Sequence, residues 1–291
     1  MNKQSDRGQA KIALVTGASS GIGEATAEQL AKAGYKVYGT SRRGAQAGQR
    51  PFEMLSLDVT SDESVKAAVL ELMRIEGRID LLVNNAGLGV ALAGDEESSI
   101  EQARSIFDTN FFGTVRMTRA VAPFMRRQGG GRIINIGSLL GFIPMPYMAV
   151  YTATKHAIEG YSESLDHELR TLGIRVLVIE PGVTKTQFDA NLLEPASKID
   201  EYREVRAALA KRWQEMVAEG DLPGAVAEVV LKAASAARPK LRYPVGSAAR
   251  MRLLRRLAPE GLFDSGVRKN LRLDARTTSD HRMAILETAR S

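Results

Sequence analysis

The 291-residue chain contains no cysteine, so it can build neither a disulfide framework nor a thiolate metal site, and a reducing compartment is its natural setting. Its three histidines, His156, His167 and His281, show no metal-ligand spacing. No metal is expected. Long apolar runs are missing too. The opening MNKQSDRGQAKIALV has a polar start and only a short apolar stretch, which suits neither a secretion signal nor a membrane anchor. The expectation is a cytoplasmic protein. No period of repeat length is visible, so the chain is not a repeat array.

What is present is ordinary for a globular chain: 44% hydrophobic and 25% charged residues, over a length that can bury one large core. The formal net charge is +6, and the segment from Arg238 to Arg276 carries eleven Arg or Lys against Glu260, Asp264 and Asp274. Such an excess can attract nucleic acid, a membrane surface or a phosphorylated ligand, or keep the protein soluble. Solubility is the default, and no specific nucleic-acid partner is expected. Within that segment ARMRLLRRLAPEGLF sets Leu and Met opposite Arg, as an amphipathic helix on an anionic membrane would. More often such a stripe packs on its own domain.

Seven short β-type runs alternate with helical patterns: KIALVTG, KVYGTSR, EMLSLDV, IDLLVNNAG, RIINIGS, RVLVIEPG and, after a longer gap, LRYPVG. Most are continuous Val, Ile and Leu, as in strands buried on both faces of a parallel sheet. The fold class is therefore α/β, a Rossmann-type doubly wound parallel sheet of about seven strands with helices on both faces. One helix opens at Ser61 and stops at Gly77, a long one runs from Ser98 to Gln128, and Ile158, Tyr161, Leu165 and Leu169 give the Tyr151 helix a buried stripe. Residues 187–220 carry helical spacing without a strand: Leu192, Ile199, Tyr202, Val205, Leu209, Trp213 and Met216. Following directly on a strand end, this segment is read as a helical substrate lid, or as extra core. The expected organisation is a flexible segment at 1–10, one domain at 11–246 including the lid, and a basic C-terminal extension at 247–291.

The first strand runs into TGASSGIG, with Gly17, Gly21 and Gly23. Glycines at a strand-to-helix turn let the backbone approach a pyrophosphate, while the next helix offers it free amides and a positive dipole end. The spacing is GxxxGxG, not the commoner GxGxxG. Downstream, YTATK places Tyr151 and Lys155 four residues apart, on one helical face. By itself that spacing would also suit a solvated surface pair.

Seven motifs appear in order: TGASSGIG at Thr16 to Gly23, DV at Asp58 and Val59, NNAG at Asn84 to Gly87, Asn110 in FDTNFFG, Ser138 in NIGS, YTATK, and PGVTKT at Pro181 to Thr186. In these the chain resembles the short-chain dehydrogenase/reductase family from about Lys11 to Pro244, and more loosely its branch similar to 17β-hydroxysteroid dehydrogenases. The resemblance implies a nicotinamide dinucleotide held by Gly17, Ser19, Ser20, Gly21, Ile22 and Gly23, by Asp58 and Val59 at the adenine, and by Asn85, Ala86 and Gly87 along the adenosine. At the carboxamide end it implies Pro181, Gly182, Val183 and Thr186, with Tyr151 and Lys155 at the nicotinamide ribose. It further implies a catalytic set of Asn110, Ser138, Tyr151 and Lys155.

Carbonyl reduction needs a hydride on carbon and a proton on oxygen. Lys155 is expected to lower the pKa of Tyr151 so that the phenol can be acid or base. Ser138 is expected to hold the substrate oxygen. Asn110, mid-helix where asparagine is not favoured, is either exposed or needed for its side chain, and the resemblance implies that it holds a water in a relay to Lys155. Small Ala153, Ala157 and Gly160 are expected to let the helix pack closely. At the end of the second strand, GTSRRG lacks the carboxylate that binds a ribose 2′-hydroxyl. Ser41 and Arg42 would instead suit a 2′-phosphate, so NADP(H) is expected over NAD(H), with Arg43 left outside the site as a loop residue. The substrate expected is a small lipophilic ketone or alcohol, from apolar Phe188, Leu192, Leu193 and Trp213 and from LLGFIPMPYM. The resemblance also implies a homodimer or homotetramer. The alternative is an NADP(H)-binding sensor or interaction protein on the same fold, which would have no need of the four catalytic residues.

Overall fold

In the computed structural model residues 10–44, 50–187 and 192–273 are described. The apolar runs form seven parallel strands: β1 Ile12–Val15, β2 Lys36–Ser41, β3 Glu53–Ser56, β4 Leu81–Asn84, β5 Gly131–Ile136, β6 Ile174–Glu180 and β7 Arg242–Pro244. Their order is β3-β2-β1-β4-β5-β6-β7. The strands run parallel, but the order in which they are added reverses between β1 and β4, and the carboxyl ends of these two strands open the crevice where ligands of such sheets bind. Both strands are fully buried along their length, because helices cover both faces.

On one face α1 (Gly21–Lys32) and α7 (Pro223–Ser235) pack Ala27, Leu30, Val226 and Val230 against the sheet. On the other, α2 (Asp62–Glu76) and α4 (Gly113–Arg127) bring Val65, Val69, Leu72, Met117 and Val121. The expected stop signals are in place: Ser61 accepts a capping bond from the Ser64 amide, and Gly77 ends α2 at φ 70°. A third cluster sits at the carboxyl edge of the sheet. There Leu139, Leu140, Ile143, Met145 and Met148 meet Leu209 of α6 (Arg203–Glu219), Ala248 of α8 (Ser247–Leu257) and Phe263 of α9 (Glu260–Asn270).

Three sequence expectations change. The helix expected from Ser98 to Gln128 is α3 (Ile100–Phe107), a π turn over Asp108–Phe112, and α4. The extra residue in that turn swings Asn110 inward, 3% exposed, where its amide bonds backbone outside its own helix. The second concerns α5 (Ala149–Arg170). Its packed side is Thr154, Lys155, Ile158, Glu159, Ser162 and Asp166, whereas Ala153 and Gly160 are exposed and nothing lies within 4 Å of a side chain placed at Gly160. Ala153 and Gly160 therefore do not serve packing within this chain, whereas Ala157 is half-buried. Third, residues from 247 onward, set apart in the sequence as an extension, supply α8 and α9 to the third cluster. Phe188, the first nine residues and His281 lie outside the described residues. Among the described residues no helix is long and apolar enough to cross a membrane.

Candidate active site

The end of β1 and the end of β4 are locked together. Thr16 Oγ1 accepts from the amides of Asn85 (2.9 Å) and Ala86 (3.1 Å), while Asn85 Nδ2 donates to the carbonyls of Thr16 (3.0 Å) and Gly17 (3.1 Å). This contact requires glycine. Gly17 has φ +65°, and a Cβ there would stand 2.9 Å from Ala86 Cα; one on Gly23 would collide with the Gly17 carbonyl and Asn85. No side chain caps α1 at Ser20, which leaves the first-turn amides available to an anion. Arg50 braces the loop from outside, donating to the Ser19 carbonyl (3.2 Å) and pairing with Glu24 (2.9 Å).

A single cleft of about 1580 Å³ runs from this loop over the strand ends. It is lined by Gly17, Ser19, Ser20, Gly21, Ile22, Ser41, Arg42, Asp58, Val59, Asn85, Ala86, Gly87, Ser138, Tyr151, Lys155, Pro181, Gly182, Val183 and Thr186. Among the expected site residues, Gly23 and Asn110 do not line it. Gly23 serves by absence of a side chain. Asn110 is a brace: its Oδ1 accepts from the Leu88 amide (2.7 Å) and its Nδ2 donates to the Leu88 carbonyl (2.9 Å) and to Thr154 Oγ1 (3.2 Å). It thereby fixes the loop after NNAG against α5. Arg43, left out in the sequence, lines the cleft beside Arg42.

At the β2 end Ser41 Oγ donates to the Gly44 carbonyl at 3.2 Å, a weak bond that a better acceptor can replace. Burial pushes the Asp58 carboxyl up, but bonds from Thr60 and the charges of Arg42 and Arg116 outweigh it and hold the group below the usual range. These residues, the glycine cradle and the uncapped α1 terminus fit a dinucleotide, and the pair Arg42 and Arg43 fits one that carries an extra phosphate.

Ser138 stands two residues past the end of β5, at the cap of a short turn over Leu139–Gly141, and accepts from the Leu140 amide (3.1 Å) through Oγ. Tyr151 lies in the first turn of α5, reached through Tyr147 at φ +65°, a strained conformation for a bulky residue. Lys155 Nζ donates to the Ile136 carbonyl (2.9 Å) and lies 5.6 Å from the Tyr151 ring centre. Burial pushes the Tyr151 phenol above its ordinary range. It also pushes Lys155 down to about 8, partly opposed by Glu159. The direction at Tyr151 is opposite to that expected from the sequence, because burial of the phenol disfavours its charged form.

Behind Lys155 lies a group that the sequence reading missed. Glu159, one turn further along α5, faces Glu180 at the end of β6, and the two residues are 7% and 0% exposed. Burial, followed by the Glu159 charge, pushes Glu180 up to about 8. Arg242 donates from Nε to Glu159 (2.8 Å) and from Nη2 to Glu163 (2.7 Å). Arg252 of α8 approaches Glu180 Oε1 at 2.7 Å as an ion partner, without the alignment of a hydrogen bond. A Glu four residues after Lys155 was the available signal; Glu180 had none, since its partners come from α5, β7 and α8.

The outer part of the cleft carries an apolar wall of Leu140, Ile143, Met145, Leu193, Trp213, Met216, Met251 and Phe263, interrupted by Arg212, Asp221, Arg250 and Asn270. The segment carrying Trp213 is tied down. Buried Glu97 accepts from the Ile199 amide (2.7 Å) and pairs with Arg206 of α6, and Gln102 donates to the Glu194 carbonyl (2.6 Å).

Comparison with known proteins places this site in context. Residues 11–196 match a family model described as short chain dehydrogenase. A 3-ketodihydrosphingosine reductase of Bacteroides thetaiotaomicron is 38% identical over 82% of this chain and 88% of its own length. Human 17-beta-hydroxysteroid dehydrogenase type 1 is 38% identical over 80% of this chain and 76% of its own. A short-chain dehydrogenase from Streptomyces avermitilis superimposes with TM-score 0.77 at 33% identity, over 91% of this chain and 96% of that one. Other solved chains of the fold carry NADP+ (TM-score 0.69, 31% identity) or NADH (TM-score 0.68, 27% identity).

Proposed function

The chain belongs to the short-chain dehydrogenase/reductase family, and from that premise we propose that it is an NADP(H)-dependent reductase of a lipophilic ketone, running in reverse on the corresponding secondary alcohol. One observation carries the proposal: Ser138, Tyr151 and Lys155 share a single cleft with the glycine loop, and Leu140, Ile143, Met145, Trp213, Met216 and Phe263 give the rest of that cleft an apolar wall. The two relatives named above are, by name, a reductase of 3-ketodihydrosphingosine and a hydroxysteroid dehydrogenase, which supports an apolar carbonyl compound as substrate. A bound nicotinamide dinucleotide supplies or accepts the hydride.

The protein's own residues manage the oxygen. Ser138 and Tyr151 hydrogen-bond the substrate oxygen, and Tyr151 gives its proton as negative charge develops there. A phenol held above its ordinary range remains protonated at neutral pH, which readies the site for reduction. An alkoxide is a far stronger base than a phenolate, so the transfer stays downhill. Lys155, held near the aromatic ring, stabilises the phenolate that results, and Asn110 keeps the loop above α5 in register. Trp213 and Met216 of α6 act as a lid that excludes water. At the β2 end Ser41, Arg42 and Arg43 select the phosphorylated dinucleotide. Exposed Phe112, Ala153 and Gly160 on the π turn and α5 support pairing of subunits as a homodimer or homotetramer.

Incubation with NADPH and a panel of ketones of rising hydrophobicity, read at the nicotinamide absorbance, tests the proposal. Turnover is expected with apolar ketones. No turnover of any ketone with either dinucleotide would overturn it.

A further inference from the structure

We propose that α8 and α9 form a docking surface for an anionic lipid bilayer, setting the mouth of the cleft against the membrane. The docking stands on the surface itself; only its use, the delivery of an apolar ketone, rests on the function proposed above.

Packing on the parent domain does not account for the leucines of this segment. α8 turns Ala248 and Met251 inward and α9 turns Phe263 and Val267 inward, followed by Leu271 just past its end, all into the third cluster. That leaves Leu253, Leu254 and Leu257 on α8 and Leu262 on α9 at 60%, 51%, 71% and 70% exposure. Among the described residues ten large apolar side chains are exposed, and four of them fall within this stretch of ten positions. Scattered exposed leucines need no explanation, but a contiguous group does.

The charges around the group select the partner. Residues 247–273 hold seven basic side chains against Glu260 and Asp264, so this short segment carries most of the chain's net charge of +6. At least three of the seven are engaged by the protein: Arg252 pairs with Glu180, Arg272 with Glu215, and Arg255 lies over the Phe263 ring at 4.8 Å. Arg250, Arg256 and Lys269 are exposed on the same two helices as the leucines. Leucines flanked by cations match a bilayer interface, where apolar side chains enter the acyl boundary and the cations meet anionic headgroups. A nucleic acid would use the cations and leave the leucines in water. Position supplies a further reason: Leu254 and Leu262 also line the cleft, so the surface is the lip of the cavity, and a molecule dissolved in the bilayer would pass into it without crossing water.

Flotation of the full-length protein with vesicles of phosphatidylcholine containing about 30% phosphatidylglycerol tests the proposal without reference to catalysis. Wild type is expected to float with these vesicles, to bind phosphatidylcholine alone far less, and to be released as salt rises to about 0.5 M. The double variant L253E/L257E, whose positions are exposed and do not line the cleft, should partition at least about ten-fold more weakly while reducing a water-soluble ketone at the wild-type rate. R256E/K269E should lose the preference for anionic vesicles. Wild type failing to float, floating equally with neutral vesicles, or floating undiminished as L253E/L257E would each overturn the proposal. So would a fall in molecular mass of L253E/L257E with no vesicle binding by wild type, which would assign the leucines to contact between copies of this chain.

Discussion

Replacing Glu180 by Gln should remove a pH-dependent loss of stability. Glu180 is fully buried, faces Glu159, and has its carboxyl pushed up to about 8 from 4.5. A carboxyl raised in the folded state contributes stability that is complete below its unfolded value and is lost as pH rises through the folded one. Between pH 6 and 8 the folded chain holds a proton that the unfolded chain has released, so stability falls by up to about 1.4 kcal/mol per pH unit, or about 2 kcal/mol across the window. For a chain of this size that corresponds to about 5 °C in Tm. Gln at 180 preserves the shape, keeps the site neutral and has no proton to lose. Differential scanning fluorimetry of both proteins at pH 6, 7 and 8 at constant ionic strength should show wild-type Tm dropping by that amount relative to Glu180→Gln. Parallel profiles would refute the reasoning: Glu180 would then be ionised in the fold, stabilised by Arg252 and Arg242 beyond what its burial opposes.

Three further outcomes follow from the site. Lys155 is pushed down to about 8 and acts when charged, so kcat/KM should fall as pH rises through about 8; Glu159→Gln, by removing the charge that opposes this shift, should move that limb to lower pH in a pH–rate profile. Arg42→Ala should raise KM for NADPH about ten-fold or more while leaving KM for NADH near wild type, as expected for loss of a charge-assisted phosphate contact; equal effects on both dinucleotides would place Arg42 outside the recognition of the phosphate. Gly23→Ala should weaken dinucleotide binding and cost about 1–3 kcal/mol in chemical denaturation, because its Cβ has no room against Gly17 and Asn85.

All seven runs became strands; the central ones were legible because parallel strands buried on both faces are written as near-continuous Val, Ile and Leu, whereas the edge strands β3 and β7 are only partly buried and carry no such run. The glycine loop and YTATK were equally local: their chemistry depends on residues within a turn or two of one another. What escaped was long-range. The π turn at Asn110 depends on the Leu88 backbone 22 positions away, and the environment of Glu180 depends on Arg252 and Glu159 in two other elements. The direction of the Tyr151 shift was misjudged because spacing reveals the nearby ammonium and not the burial, which is a property of the whole assembled cleft. For the same reason α8 and α9 read as an appended basic segment, their inward residues Met251, Phe263 and Leu271 being separated by exposed arginines and leucines.

The most direct test of the chemistry compares wild type with Tyr151→Phe for two quantities at once, NADPH affinity by fluorescence titration and turnover of an apolar ketone. Loss of the proton donor alone should lower kcat by about a thousand-fold while the Kd for NADPH changes by less than about two-fold, since only a hydroxyl has been removed. Turnover within a factor of a few of wild type would show that the proton reaches the substrate oxygen from another group, and the assignment of Tyr151 would fail.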